Sequence, residues 1–186
     1  MYFIFLFSII LHEFGHLIMA KFLNVHIKNI KFKIFGISAE IEDESRISNI
    51  KKIVIIGIGP IINLFICIIF VRFKVLFYTN LSLFLFNVLP IIPLDGGKVL
   101  FYLINLKFDY LKSSKIMLLI SKITLIMLSI FYCFAIFIVR NIIIFFVIVY
   151  LWGAFLREEK NFEWYIKICE SLRNNSKNGK KYLQEE

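Results

Sequence analysis

The chain has 186 residues, of which 60% are hydrophobic and 22 are phenylalanine, and its formal net charge is +9. This composition lies outside the range of a soluble globular domain and indicates a membrane protein. The basic residues are distributed over several loops and not gathered into one polar module, so nucleic acid is excluded as a partner.

Five apolar stretches follow one another along the chain. A helix of about 20 residues crosses a hydrocarbon core of about 30 Å, and most of the stretches approach that length. We therefore predict an all-α polytopic membrane protein with about five transmembrane helices. The stretches are 2–23, 51–71, 75–89, 115–139 and 141–156.

The first stretch, residues 2–23, contains His12, Glu13 and His16 in an otherwise apolar run. A signal peptide is the alternative for its start, but neither a basic beginning nor a cleavage site after small residues is visible. One charge at the centre of a membrane helix costs from roughly 3 to over 10 kcal/mol, so these side chains need compensation.

These three residues fit the pattern H-E-x-x-H. Positions i and i+4 share one face of a helix, so the imidazoles of His12 and His16 can hold a single Zn²⁺. Glu13 is a surface neighbour of His16 and is predicted to be the catalytic base, accepting a proton from a water molecule that zinc acidifies. The alternative is a polar cluster packed between helices.

Residues 26–43 alternate between apolar and polar side chains, which predicts a short β-hairpin between the first two helices. The expected register places Lys31 opposite Glu40 and Lys28 opposite Asp43. We interpret the hairpin either as an amphipathic surface ribbon or as an edge to which an extended peptide adds a strand.

The third predicted helix, 75–106, is broken at the sequence PIIPLDGG. Pro90 and Pro93 remove backbone donors there, and irregular backbone at membrane depth survives only where protein encloses it or a watery cavity borders it. Asp95 lies in the break. Because a catalytic zinc site takes three protein ligands, we predict Asp95 as the third ligand in preference to His26. A turn or helix cap is the alternative role of Asp95.

The remaining segments are predicted to be scaffold and tail. Helices 115–139 and 141–156 carry no ionisable residue well inside their apolar core. Residues 1–156 would form an intramembrane metalloprotease core, with 2–23, 51–71 and 75–106 as its catalytic helices. Residues 157–186 would form a cytosolic amphipathic tail on the lipid surface.

The basic residues also predict the orientation of the chain. Seven Lys and Arg fall between residues 21 and 52, five between 98 and 122, and seven after 156. The intervening turns hold only Arg72, Lys74 and Arg140. The positive-inside rule therefore places the C-terminal tail in the cytosol.

Three motifs together resemble those of the site-2 protease family of intramembrane zinc metalloproteases. They are HEFGH in the first helix, GxGPxxN in the second and NxxPxxPLDGG in the third. The resemblance covers roughly residues 1–170 and is strongest to the sporulation branch of the family. It implies zinc bound by His12, His16 and Asp95, Glu13 as the base, and a multi-pass protein of the bacterial cell membrane with its active site toward the cytosol.

The same resemblance implies substrate contacts and partners. Asn63, Asn87 and Pro93 would bind substrate, which would be a membrane-tethered protein and, in the sporulation branch, a pro-sigma factor. Membrane inhibitor or regulator proteins would be further partners. The residues before His12 are too few for the helix that usually precedes this motif in the sporulation branch, and we expect no nucleotide-sensing domain in the tail.

Two other functions remain open from the residues. A membrane metal carrier or sensor could use the same ligands without proteolysis, although a transport path would need polar residues through several helices and the last two are almost purely apolar. An inactive scaffold is the third interpretation, and the intact set of ionisable residues argues against it.

Overall fold

The computed structural model describes residues 2–25, 27–33, 36–41, 47–139 and 142–182. The chain forms two compact units, Met1–Ser121 and Lys122–Glu186. The predicted turn that holds Arg140 lies outside the described residues. The elements in chain order are α1 (Tyr2–Phe22), β1 (Ile27–Lys33), β2 (Gly36–Ile41), α2 (Asn49–Ile69), α3 (Lys74–Val88), α4 (Asp95–Ile104), α5 (Tyr110–Val139) and α6 (Ile142–Tyr182).

The predicted fold class, an all-α protein with about five transmembrane helices, is wrong in its number of crossings. Within the described residues, three helices are long and apolar enough to cross a bilayer: Tyr2–Phe22, Asn49–Ile69 and Tyr110–Phe134. Helix α3 is apolar but has 15 residues, which is about 22 Å of helix. The apolar part of α6 ends where the charged run of residues 157–160 begins. Both are short of the roughly 20 residues that a crossing needs.

The predicted broken third helix, 75–106, is two separate helices in the structure. Helix α3 ends at Val88 and α4 begins at Asp95. The connection between them is held by protein, because the Ile92 N–H donates a buried hydrogen bond of 3.1 Å to Ser121 Oγ of α5. Ile91 and Ile92 are themselves buried. The irregular backbone before Asp95 is therefore enclosed, as the membrane requires.

The predicted register of the segment after α1 is wrong. Strands β1 and β2 are antiparallel, with Lys31 opposite Ser38 and Asn29 opposite Glu40. The predicted Lys31–Glu40 pair is therefore absent from the register, and Asp43 lies outside the described residues. The two registers differ by two residues along the partner strand. Such a shift leaves every side chain on its original face, so the apolar alternation could not distinguish them.

Helices α1 and α2 pack closely against each other. A Cβ atom at Gly15 would collide with the side chain of Ile62. Ala20, Val25 and Ile55 form a buried apolar cluster near the carboxyl end of α1. Small residues of this kind let two membrane helices approach closely, and here they bring the His12–His16 face of α1 against α2.

A polar contact joins α1 to α3 inside the apolar part of the first unit. Asn80 Nδ2 donates a hydrogen bond of 3.0 Å to Ser8 Oγ, and both side chains are fully buried. In the membrane interior such a bond has little competition from water, so it helps to fix the two helices together.

The second unit has its own polar contact between helices. Trp152 Nε1 donates a hydrogen bond of 3.0 Å to Ser129 Oγ, which joins α6 to α5. Leu125, Leu151 and Phe155 are buried in this unit. The described contacts of this unit therefore hold α5 and α6 together.

Candidate metal centre

The two histidines of the HEFGH motif lie on successive turns of α1 with their rings in contact. His12 Nε2 and His16 Nε2 are 3.2 Å apart, and the rings meet edge to face with centroids 4.8 Å apart. His12 is 5% exposed. One nitrogen of each ring therefore points into the same small, buried space.

Asp95, the first residue of α4, faces this space from the other side. Its Oδ2 lies 2.9 Å from His12 Nε2 and 3.3 Å from His16 Nε2. Its Oδ1 is 3.9 Å from the ammonium group of Lys98. One ligand atom from each of His12, His16 and Asp95 can be chosen so that all lie within 4.8 Å of one another. One carboxylate oxygen thus faces the histidines, while the other faces a lysine.

Helix α2 supports the two imidazoles from behind. Ile55, Gly59 and Asn63 are spaced by four residues and therefore line one face of this helix. His16 Nδ1 lies 2.8 Å from the carbonyl oxygen of Ile55, and Asn63 Nδ2 lies 3.0 Å from His12 Nδ1. Each ring thus uses Nδ1 toward α2 and directs Nε2 toward Asp95. Such outer contacts orient histidines that bind metals.

Position 59 requires glycine because the two imidazole rings occupy the space that a side chain would fill. A Cβ atom there would lie 2.5 Å from His16 Nε2 and 2.7 Å from His12 Cε1. Both distances are far below van der Waals contact. Any larger side chain at this position would displace the imidazoles.

The loop that presents Asp95 also depends on glycine. A Cβ atom at Gly96 would collide with the main chain at Val88, and one at Gly97 would collide with the main chain at Ile91. The first turn of α4 is therefore packed directly on the connection that precedes it. This close contact fixes the position of Asp95 relative to α3.

The donor set fits a divalent metal ion. Two imidazole nitrogens and one carboxylate oxygen converge from two helices, and a catalytic zinc site uses three protein ligands of these types with a fourth position open. The side chains are largely buried, with relative exposures of 6% for His12, 17% for His16 and 14% for Asp95. A cation bound there would offset the cost of a carboxylate in an apolar environment.

The other residues singled out in the sequence lie around this group. Glu13 is half-buried on α1 between the two histidines. Asn87 donates to the Leu83 carbonyl oxygen of its own helix at 3.1 Å, and Pro93 is half-buried in the connection before α4. His26 lies outside the described residues.

Two supporting contacts were not found from the sequence. The carbonyl oxygen of Ile55 is a main-chain atom, so no side chain signals its role. Ser121 is a polar residue in an apolar run, and that pattern could have indicated a buried hydrogen bond.

Comparison with known proteins finds similarity to one family of peptidases. Residues 72–131 match the sequence profile of Peptidase family M50. The chain is 29% identical over 119 residues to stage IV sporulation protein FB of Bacillus subtilis, an alignment that covers 58% of this chain and 41% of that protein. It is 34% identical over 137 residues to a zinc metalloprotease of Methanocaldococcus jannaschii, covering 65% of this chain and 39% of that protein. The chain thus spans about two fifths of the length of these curated relatives.

A solved structure agrees with these matches. The site-2 protease from Methanocaldococcus jannaschii is similar to this chain with a TM-score of 0.65 and 26% sequence identity, over 84% of this chain and 76% of that one. The chain is therefore similar in sequence and in fold to the site-2 proteases of peptidase family M50. This similarity and the long apolar helices place it in a membrane.

Proposed function

We propose that this chain is an intramembrane zinc metalloendopeptidase. The observation that carries the proposal is the convergence of His12, His16 and Asp95, whose ligand atoms lie within 4.8 Å of one another inside an apolar helical unit. The match of residues 72–131 to Peptidase family M50 and the name of the zinc metalloprotease relative support the same activity. The reaction would be hydrolysis of a peptide bond in or near the membrane segment of a membrane-associated regulatory protein.

The three ligand residues would hold Zn²⁺ through His12 Nε2, His16 Nε2 and a carboxylate oxygen of Asp95. Zinc bound there would supply a Lewis acid that polarises the peptide carbonyl and acidifies a water molecule. The contacts of Ile55 and Asn63 with the Nδ1 atoms keep both Nε2 atoms directed at the carboxylate.

Glu13 would act as the general base and then as the general acid. It is half-buried and lies one residue from His12 on the same helix, so its carboxylate can serve the metal centre without being one of the three converging ligands. It would accept a proton from the attacking water and later donate it to the leaving amine nitrogen.

A substrate helix must open before it can react, because its amide groups are engaged in its own hydrogen bonds. The connection before Asp95 is the irregular backbone nearest to the ligand residues along the chain, and we propose that Asn87 and Pro93 contact the opened segment there. Asn63 was predicted to share this role, but its described contact is with His12.

A finer assignment of substrate follows from the sporulation relative. By similarity to stage IV sporulation protein FB we propose a membrane-tethered pro-sigma factor as substrate, with membrane inhibitor or regulator proteins as further partners. Co-expression with a tethered pro-sigma factor tests this assignment, and appearance of the shortened factor is the expected result.

We also propose that the basic end of the first unit faces the cytosol. Lys51 Nζ donates to the Leu23 carbonyl oxygen at 3.1 Å, and Lys52 lies over the ring of Tyr102, 4.9 Å from its centroid. The carboxyl ends of α1 and α4 therefore meet the amino end of α2 at one basic end, which the positive-inside rule assigns to the cytosol. In a protein whose native cysteines are replaced, a cysteine introduced at Lys51 should react with an impermeant maleimide only from the cytosolic side.

The catalytic role of Glu13 is tested by Glu13→Gln. The variant should retain bound zinc and lose cleavage of a co-expressed tethered substrate, because the amide cannot accept the proton. Glu163→Gln, which changes an exposed carboxylate on α6, is the matched control and should cleave like the wild type. Cleavage by Glu13→Gln at the wild-type rate would contradict the assignment.

A further inference from the structure

We infer that Asn63 is a positioning residue, which holds the His12 imidazole through Nδ1. Its side-chain amide rotates to match the His12 tautomer of the metal-bound and of the metal-free site. The inference rests on the metal-binding part of the proposed function. It gives Asn63 a role in addition to the predicted contact with substrate.

Burial makes the contact between Asn63 and His12 energetically important. Asn63 is 0% exposed and His12 is 5% exposed, and Asn63 Nδ2 is 3.0 Å from His12 Nδ1. A buried polar atom that loses its partner is destabilising, because no water replaces the lost hydrogen bond. The pair is therefore held in place by the absence of competing water.

The two histidines are anchored by different chemical groups. His16 Nδ1 faces the carbonyl oxygen of Ile55, which can only accept a hydrogen bond. His12 Nδ1 faces a side-chain amide, which can donate through Nδ2 or accept through Oδ1. Only the His12 anchor can therefore serve either tautomer of a neutral ring.

Metal binding requires a particular tautomer of His12. In the structure Asn63 Nδ2 donates to Nδ1, so a neutral ring carries its proton on Nε2, toward Asp95. A metal held by Nε2 requires that proton to lie on Nδ1 instead, where it needs an acceptor. Half a turn of the Asn63 amide exchanges Nδ2 and Oδ1 and supplies one.

The other amide atom permits this rotation. Asn63 Oδ1 is buried and has no hydrogen-bond partner among the described residues. Turning the amide therefore breaks no second hydrogen bond. An apolar side chain at this position could form a hydrogen bond with neither tautomer of His12. A carboxylate would accept a hydrogen bond from Nδ1–H and so favour the tautomer that binds metal.

Asn80 provides a matched control for Asn63. It is also 0% exposed, it also donates a hydrogen bond of 3.0 Å to α1, and its partner is Ser8, not a metal ligand. Its Oδ1 likewise has no partner among the described residues. Asn80→Leu thus removes the same group at the same burial without touching the metal centre.

The experiment measures Co²⁺ affinity of the full chain in detergent by competition with a chelator, together with the visible absorption of the bound cobalt. Asn63→Leu should bind Co²⁺ about 10- to 100-fold more weakly than the wild type, with an altered spectrum, as is typical when an outer contact of a ligand is lost. Asn63→Asp should bind Co²⁺ at least as tightly as the wild type and give the wild-type spectrum. Asn80→Leu should leave both unchanged.

Three results would overturn the inference. One is wild-type affinity and spectrum in Asn63→Leu, and another is an equal loss in Asn63→Leu and Asn80→Leu, which would indicate a purely structural role. The third is failure of Asn63→Asp to restore binding in a folded protein. A wild type that binds Co²⁺ but cleaves nothing would overturn the proposed proteolysis and leave this inference standing, whereas a wild type that binds no metal would overturn both.

Discussion

The carbonyl oxygen of Ile55 lies 2.8 Å from Nδ1 of His16, across the interface between α1 and α2. Because a carbonyl oxygen can only accept, the ring proton of a neutral His16 lies on Nδ1 and the lone pair of Nε2 faces Asp95. The acceptor belongs to the main chain, so it is positioned by the packing of α2 and not by any side chain. Helix packing therefore sets the chemical state of a predicted metal ligand.

Gly59→Ala should weaken metal binding about tenfold or more, the effect expected when the support of a ligand is disturbed. The new methyl group would lie 2.5 Å from His16 Nε2 and force both rings to move. The affinity is measured by chelator competition in detergent.

Gly57→Ala is the control for this substitution, because a Cβ atom at Gly57 meets nothing within 4 Å among the described residues. It lies on the same helix, one half-turn away, and alanine should stabilise that helix slightly. If both alanine variants bind metal as tightly as the wild type, Gly59 does not support the rings in the way described.

Gly97→Ala should destabilise the first unit by about 1–3 kcal/mol, the usual cost of overpacking. The added methyl group would collide with the main chain at Ile91, and the connection that presents Asp95 would have to shift. Thermal unfolding in detergent measures the loss, and metal affinity should fall with it. Gly153→Ala, whose Cβ atom meets nothing within 4 Å among the described residues, should change neither, and a similar loss in both variants would refute this account.

Ser121→Ala should cost roughly 1–3 kcal/mol of stability, because the buried Ile92 N–H loses its acceptor. Ser114→Ala removes an equally buried serine from the same helix. Among the described residues, the Ser114 hydroxyl donates only to the Tyr110 carbonyl of its own helix, at 2.7 Å. That variant should lose clearly less stability. Equal unfolding temperatures for the two variants would show that the Ser121 bond does not hold the connection.

The sequence was most informative where spacing determines geometry. Positions i and i+4 on a helix predicted that His12 and His16 share a face, and their Nε2 atoms lie 3.2 Å apart in the structure. Proline and glycine around Asp95 predicted a break, and α4 begins at that residue. These features are local, so they can be derived from residue types and their order alone.

Features that depend on tertiary packing could not be derived in this way. The crossing count was wrong because two of the five apolar stretches, which form α3 and the apolar part of α6, are too short to cross a bilayer. The strand register was wrong because a shift of two residues preserves the apolar faces. The contacts of Ile55 and Asn63 with the histidines required the placement of α2 against α1, which no single segment encodes.

The metal content of purified protein tests the central claim most directly. After equilibration with Zn²⁺ and removal of the excess, elemental analysis should find one zinc per wild-type chain and almost none in Asp95→Asn, since an amide oxygen is a much poorer ligand than a carboxylate. Asp109→Asn, which changes an exposed carboxylate just before α5, should keep its zinc. A wild type without zinc, or an Asp95→Asn variant with a full complement, would contradict the account.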